Sequence, residues 1–309
     1  MKSMVSRGAQ DLSIGRRRSQ PLTATVVICT RNRPVLLRKC LDAVALLNPA
    51  PDAVLVVDNT QGNKETEEET RTFGARYIVE PLPGLSRARN RGLAECDTDI
   101  VAYLDDDAIP APDWLGILMG PFADDKTAAS TGKVVTPISQ SGKRPESPRL
   151  LSNNDPHWFE ISTFGGMGLG SNMALRKSAC VAPTMFDERL GRGAPFQIGE
   201  ESYAFARLLS DGYKAAYLPS AVVFHPPLSR DTVEHEAQNS ITYWLLLFNE
   251  FPDQRMNLLR FLLRRIRRQP LDWPRDPQEP GEIVTSGWRV LVKASVKGLW
   301  LFIRTKKPR

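Results

Sequence analysis

Four short runs of β-branched and aliphatic residues follow one another in the first third of the chain, and they narrow the fold more than any other feature. They are Ala24–Thr30 (ATVVICT), Ala53–Asp58 (AVLVVD), residues 75–79 (ARYIV) and residues 100–104 (IVAYL). Most positions in each run are apolar or β-branched, rather than every second one. A strand of that kind is covered on both faces, as in a parallel sheet held between helices. The connecting segments agree. Residues 35–47 repeat Leu37, Cys40, Leu41 and Val44 at helical spacing. Residues 65–71 read as an acidic exposed helix, and residues 87–95 as a helix capped by Ser86. The expected fold class is α/β, a mostly parallel sheet flanked by helices, with a helical C-terminal extension and no internal repeats.

Beyond residue 110 the pattern loosens. Residues 112–122 read as a helix and 128–136 as a strand. Residues 139–155 are polar, contain Pro145 and Pro148, and read as a flexible loop. Gly165, Gly166, Gly168 and Gly170 mark a tightly turned or mobile stretch before residues 171–175. A helix is expected over 199–210, stopped by Gly212, and a strand over 214–218 leads to His225. The organisation expected is a disordered basic tail over 1–22, an α/β domain over 23–230 and an amphipathic helical region over 231–309.

The acidic run Asp105, Asp106 and Asp107 follows the fourth strand directly. Three adjacent carboxylates repel one another, so the run is costly unless solvent or a cation relieves it. Strand alternation puts Asp105 and Asp107 on one side and Asp106 on the other. Two hard oxygen ligands on one side suit Mg²⁺ or Mn²⁺ shared with substrate phosphates, although a solvated acidic turn would read the same way. Asp58 ends the second strand, and Thr30, Arg31 and Arg33 end the first. Three strands thus deliver polar groups to one rim, where open α/β sheets bind ligands. Arg87, Arg89, Asn90 and Arg91 sit on early turns of the third helix after a glycine turn, a setting that favours phosphate.

CTRNRP (29–34), VVDN (56–59), PGLSRARNRGL (83–93) and AYLDDDAIP (102–110) together resemble glycosyltransferase family 2, which has the GT-A fold. GLGSNMALRKSA (168–179) resembles that family's acceptor-side loop and following helix, and GEESYAFARLL (199–209) its Gly-Glu-Asp motif with a downstream Arg. The similarity covers about residues 24–225. It implies an inverting transfer of a sugar from a nucleoside-diphosphate sugar to an acceptor hydroxyl, supported by Mn²⁺ or Mg²⁺. By that resemblance Thr30 and Asp58 hold the nucleoside, with Asp58 facing the base, and Arg31 and Arg33 join the donor side. Arg87 and Asn90 lie near the diphosphate or ribose, as does Asp106. Asp105 touches the ribose or the metal's water shell, Asp107 binds the metal, and His225 adds a metal or phosphate contact. Glu201 matches the catalytic base with Glu in place of the family's common Asp, which leaves open whether Glu200 or Glu201 reaches the acceptor. Ser171, Asn172 and Arg207 fall on the acceptor side. The implied donor is a UDP- or dTDP-sugar, and the implied acceptor a saccharide or lipid-linked saccharide, in cell-envelope, polysaccharide or glycolipid synthesis.

The net charge of +6 is skewed toward the last third. Leu259, Leu262, Leu263 and Ile266 share one helical face, with Arg260, Arg264, Arg267 and Arg268 on another. Trp288, Leu291, Trp300, Leu301 and Phe302 lie beside Lys293, Lys297 and Arg304. Such helices either pack on the core or lie on an anionic membrane surface. No apolar run approaches the ~20 residues of a membrane span, and Arg16, Arg17 and Arg18 are not followed by the apolar stretch of a secretory signal. With four isolated cysteines, at Cys29, Cys40, Cys96 and Cys180, the expectation is a reducing, cytoplasmic setting with peripheral attachment to the inner face of the cell membrane. A nucleotidyltransferase of similar fold is the alternative, but it would carry a Gly-rich loop where CTRNRP has none. A nucleic-acid partner is not expected, because no aromatic residues interleave with the basic ones as stacking platforms.

Overall fold

The computed structural model describes residues 21–136, 147–180, 185–226, 233–266 and 288–305. Residues 1–20 of the tail expected over 1–22, Pro145, and the pair Arg267 and Arg268 lie outside these, as do the side chains of Ile266, Trp288, Leu291 and Lys293. The first four strands form where the apolar runs stand: β1 (Ala24–Thr30), β2 (Ala53–Asp58), β3 (Arg76–Val79) and β4 (Ile100–Asp105). Between them run α1 (Pro34–Val44), α2 (Lys64–Phe73) and α3 (Leu85–Glu95). Pro34 begins α1 because its missing N–H would be unpaired there in any residue. Asn63 caps α2 by accepting the N–H of Thr66, and Gly74, in the left-handed region, ends it. Ser86 is not the cap of α3. The helix starts two residues earlier, at Leu85 with Gly84 as its N-cap, and the buried Ser86 hydroxyl donates to the Leu190 carbonyl at 2.7 Å.

The remaining elements are β5 (Ile109–Pro110), α4 (Trp114–Met119), β6 (Thr127–Val135), β7 (Arg149–Ser152), α5 (Trp158–Thr163), β8 (Asn172–Arg176), α6 (Glu200–Ser210), β9 (Lys214–Phe224), α7 (Val233–Glu250), α8 (Arg255–Ile266) and α9 (Trp288–Thr305). Two expectations are corrected. Part of the loop foreseen at 139–155 is strand β7, which pairs with β9. The segment 168–179 holds a strand and a short 3₁₀ turn, not a helix, because Asn172–Arg176 has a partner strand on each side.

The sheet has nine strands in the order β3-β2-β1-β4-β8-β6-β9-β5, with β7 beside β9. β3, β2, β1 and β4 are parallel, as is β6 to β9, and β8 runs antiparallel between β4 and β6. Register sets the working edge. Thr30 stands opposite Asp58, and Cys29 opposite Asp105, so the carboxyl ends of β2, β1 and β4 finish level.

One face of the sheet is filled by α1 and α4 (Leu37, Leu41, Trp114, Leu118) and the other by α3 and α6 (Ala88, Leu93, Phe205, Leu208). A third apolar cluster joins α5, α6, α7 and α8 through Phe159, Tyr203, Leu246, Phe251 and Leu258. The C-terminal helices therefore share a core with the helix that carries Glu200 and Glu201. On α8 the inward residues are Leu258 and Phe261, while Leu259 and Leu263 of the expected apolar stripe stay exposed.

Candidate active site

The rim begins at the end of β1. Thr30 is buried, and its hydroxyl donates to Asp106 Oδ2 at 2.7 Å. Asn59 knits the turn before α3: its amide donates to the Glu80 and Leu82 carbonyls, and its Oδ1 accepts the Gly84 N–H. Gly84 has φ 138°, which favours glycine, and this bend aims the start of α3 at the same rim.

The acidic run divides as alternation requires. Asp106 turns inward, 4% exposed, to Thr30 and to Arg33 Nη1 at 2.9 Å. Burial pushes its carboxyl up to about 6, against the pull of Thr30 and Arg33. Asp105 and Asp107 turn the other way, toward His225. His225 Nε2 lies 3.0 Å from Asp107 Oδ1 and 3.7 Å from Asp105 Oδ2. The ring is oriented from behind, with Nδ1 2.6 Å from the Pro226 carbonyl, so Nε2 faces the carboxylates. Ligand atoms of Asp105, Asp107 and His225 all fall within 4.8 Å of one another. Burial alone would raise both carboxyls, but the hydrogen bond to His225, helped by Arg89 at Asp105 and by Arg33 at Asp107, holds them below their usual value. Burial alone would lower His225, yet the two carboxylates bring it up to about 10. The repulsion within the run is thus met by side chains from three other parts of the chain.

The acceptor-side carboxylates open α6. Gly199, at φ 83°, turns the chain into that helix, and both acids sit in its first turn, where the macrodipole favours negative charge. Glu200 is buried and accepts from Arg89 Nη1 at 2.8 Å. The Glu201 Oε2 atom is buried without a hydrogen-bond partner among the described residues. Burial, then the charge of Glu200, push the Glu201 carboxyl well above its usual range, with Arg89 a partial offset. The two adjacent acids are therefore unlike: one is tied to an arginine, while the other keeps its Oε2 atom without a hydrogen-bond partner among the described residues.

Arg89 was not among the residues the sequence singled out for a role of its own. It is one of three arginines in RARNR, and composition does not separate them. The available signal was spacing: Leu85, Arg89, Gly92 and Leu93 share one helical stripe, so this arginine points inward. Arg87 instead pairs with Glu188 at 2.7 Å in half-exposed surroundings. The segment 185–199 between the rim and α6 also escaped the sequence reading, and it supplies Phe186, Glu188 and Leu190 to these contacts.

Several expected site residues also hold the local structure together. Asp58, expected to face a base, is fully buried and accepts from Thr60 Oγ1, the Asn63 N–H and the Tyr77 hydroxyl; it organises its own loop. Asn90 exchanges hydrogen bonds with the backbone of Phe186. Asn172, expected on the acceptor side, is fully buried; it accepts from Trp114 Nε1 and donates to the Lys133 and Ala221 carbonyls, fastening β8 to its neighbours. Ser171 is buried just before it. Arg207 is exposed on α6 beside Tyr203 and is not brought to the rim, because six residues along a helix carry it well round from Glu201. Arg31 is exposed on the β1 loop, near Gly193.

Comparison with known proteins bears on this geometry. The profile of glycosyl transferase family 2 matches residues 25–181. The chain is 31% identical over 210 residues to a pre-mycofactocin glycosyltransferase of Mycobacterium tuberculosis, covering 65% of this chain and 42% of that protein. It is 29% identical over 226 residues to the succinoglycan biosynthesis protein ExoM of Rhizobium meliloti, covering 67% and 68%. The matched region thus spans less than half the length of the first of these relatives. Among solved structures, a mannosyltransferase of Pyrobaculum calidifontis in complex with GDP-Man and Mn²⁺ superposes with a TM-score of 0.58 at 16% identity, covering 94% of this chain and 77% of that one. That likeness shows the GT-A fold.

Proposed function

The chain belongs to glycosyl transferase family 2, and on that footing we propose that it moves a sugar from a nucleoside-diphosphate sugar to an acceptor hydroxyl, with inversion at the anomeric carbon and with a divalent cation in support. The observation that carries this reading is the convergence of Asp105, Asp107 and His225 at the carboxyl end of the sheet, tied through Arg89 to the acids of α6.

The donor set fits a cation. Two carboxylates and an imidazole suit Mn²⁺, while Mg²⁺ prefers oxygen ligands alone, so Mn²⁺ is the proposed ion, held by Asp105, Asp107 and His225. Such an ion supplies positive charge where the departing diphosphate becomes more negative. The chain's own residues do the rest. Arg31, Arg87 and the N-terminus of α3 add positive potential beside the donor phosphates. Asp106, holding Thr30 and Arg33, keeps the β1 loop in place. Glu201 takes the proton of the attacking hydroxyl, because its Oε2 atom has no hydrogen-bond partner among the described residues and its proton affinity is raised, while Glu200 is held by Arg89.

The proposed donor is a uridine or thymidine diphosphate sugar, and the proposed acceptor a saccharide or lipid-linked saccharide of cell-envelope or polysaccharide synthesis. A screen of UDP-, dTDP- and GDP-sugars for Mn²⁺-dependent release of nucleoside diphosphate tests the reaction. Release should be lost in Asp107→Ala and in wild type treated with chelator. Undiminished release in either sinks the cation's part, and no release from any donor sinks the reaction itself.

Peripheral membrane contact belongs to the same proposal. Met256, Leu259 and Leu263 of α8 and Val296, Leu299, Trp300 and Ile303 of α9 are exposed at helical spacing, flanked by Arg260, Lys297 and Arg304. Among the described residues no helix is long and apolar enough to cross a membrane. Flotation with phosphatidylglycerol vesicles should carry the protein up, and neutral phosphatidylcholine vesicles should not. Equal behaviour with both ends the proposal.

A further inference from the structure

Arg89 is the most deeply buried cation of the site, with 3% of its side chain exposed. A buried guanidinium costs several kcal/mol of desolvation unless good partners meet it. Its partners come from two halves of the fold. Nη1 donates to Glu200 Oε1 at 2.8 Å, and Nη2 lies 3.4 Å from Asp105 Oδ1. Asp105 ends β4 and belongs to the cation group, whereas Glu200 opens α6 beside Glu201. The opposite oxygen of Asp105, Oδ2, faces His225. One planar fork thus spans the space between the two halves.

The surroundings are shaped to this side chain. The guanidinium lies 5.7 Å from the centre of the Phe186 ring. The Tyr103 hydroxyl donates to the Arg89 carbonyl, pinning the backbone beneath it. Gly170 passes so close that a Cβ there would sit 2.7 Å from both terminal nitrogens. No longer residue at 170 leaves the fork its place. Lysine at 89 would keep the charge but not the two-pronged reach.

We infer that Arg89 is a positioning residue that sets the distance between the cation-side Asp105 and the acid pair on α6, so that one side chain aligns the two halves of the reaction. The inference rests on the transfer reading above. Restraint of this kind matters because misplacing a reacting group by about 1 Å can cost on the order of 10²-fold in rate.

The test measures Mn²⁺ binding by titration without any sugar donor, alongside kcat and KM, in wild type, Arg89→Lys, Glu200→Gln and the double variant. Glu200→Gln should weaken Mn²⁺ binding in the wild-type background, because Arg89, released from one partner, leans on Asp105. The same change should leave Mn²⁺ binding unaltered once residue 89 is lysine. Arg89→Lys should lower kcat by about 10- to 100-fold with little change in donor KM. An effect of Glu200→Gln that is nil, or equal in both backgrounds, overturns the inference. Gly170→Ala crowds the fork without altering charge, and it covers the case in which Arg89→Lys fails to fold. Weakened Mn²⁺ binding in folded Gly170→Ala supports the inference, and wild-type binding overturns it. A wild-type protein inactive on every donor would defeat the transfer reading instead, and the Mn²⁺ titrations would still decide the role of Arg89.

Discussion

Gly199→Ala probes how the C-terminal helices bear on the acid pair. Gly199 turns the chain into α6 at φ 83°, and a Cβ there would lie 2.5, 2.8 and 2.9 Å from three atoms of the Tyr243 ring on α7. The left-handed conformation costs a non-glycine residue about 1–2 kcal/mol. Overpacking a filled site costs about 1–3 kcal/mol more. Together these predict a loss of roughly 2–5 kcal/mol and, for a chain of this size, a fall in Tm of about 3–8 °C. The ring cannot simply swing away, because its hydroxyl is held at the Thr163 carbonyl and Leu246 and Leu247 pack beside it in the same cluster. Urea unfolding followed by circular dichroism measures the loss. The decisive comparison is a double-mutant cycle with Tyr243→Ala, which removes the obstacle. In that background Gly199→Ala should cost only the backbone strain of about 1–2 kcal/mol. An equal cost in both backgrounds would refute the claim that α7 presses on the start of α6.

Further outcomes concern Glu201, His225 and Arg189. Glu201→Gln should keep nucleotide binding and lose transfer by about 10²- to 10⁴-fold. In wild type the rate should climb with pH through a group titrating above the ordinary carboxyl range; a pH profile that levels off below pH 5 would exclude Glu201 as the base. The same raised proton affinity means the folded state holds a proton that the unfolded state releases, so wild type loses stability as pH rises above the ordinary carboxyl pKa and Glu201→Gln should not. In cation-free protein, His225 is raised from 6.5 to about 10, so its contribution is complete below pH 6.5 and fades as pH rises toward 10. Chemical denaturation at pH 6, 8 and 10 should show this loss in wild type and not in His225→Ala. Arg189 bridges the buried Asp187 at 2.7 Å and the partly exposed Glu250 of α7 at 3.0 Å. Arg189→Met removes these charged hydrogen bonds and should cost about 1.5–3 kcal/mol, read as a lower urea midpoint; an unchanged midpoint would mean the bridge contributes nothing.

The parallel part of the sheet was legible because its strands are sequence-local and apolar on both faces, a pattern little else produces. The division of Asp105 and Asp107 from Asp106 was legible too, since strand alternation decides it. The antiparallel part was hidden. β8 inserts between β4 and β6 only through pairings between distant segments, and Asn172–Arg176 looks locally like a loop followed by a helix. Asp58, Asn90 and Asn172 were read as ligand groups because polar residues at strand ends and helix starts often are. Each also has backbone or side-chain partners within the fold, and a sequence does not record which buried group needs a partner. Arg89 was grouped with Arg87 and Arg91 for the converse reason: an arginine is assumed to be solvated unless spacing forces it inward. In the C-terminal helices, which apolar residues turn to the core depended on α5 and α6, whose positions only the assembled sheet fixes.

Asp105 and Asp107 reach the rim with the fourth strand, but His225 arrives only after β9, more than a hundred residues later in the chain. The three-residue group is therefore a latch that joins the end of the fourth strand to the end of the ninth. A chain in which β9 has not docked leaves both acids without their imidazole partner, so the latch favours the assembled sheet over one that lacks that strand. Any ligand that grips all three residues at once can bind only the finished sheet, and by mass action it would lengthen the life of that finished state.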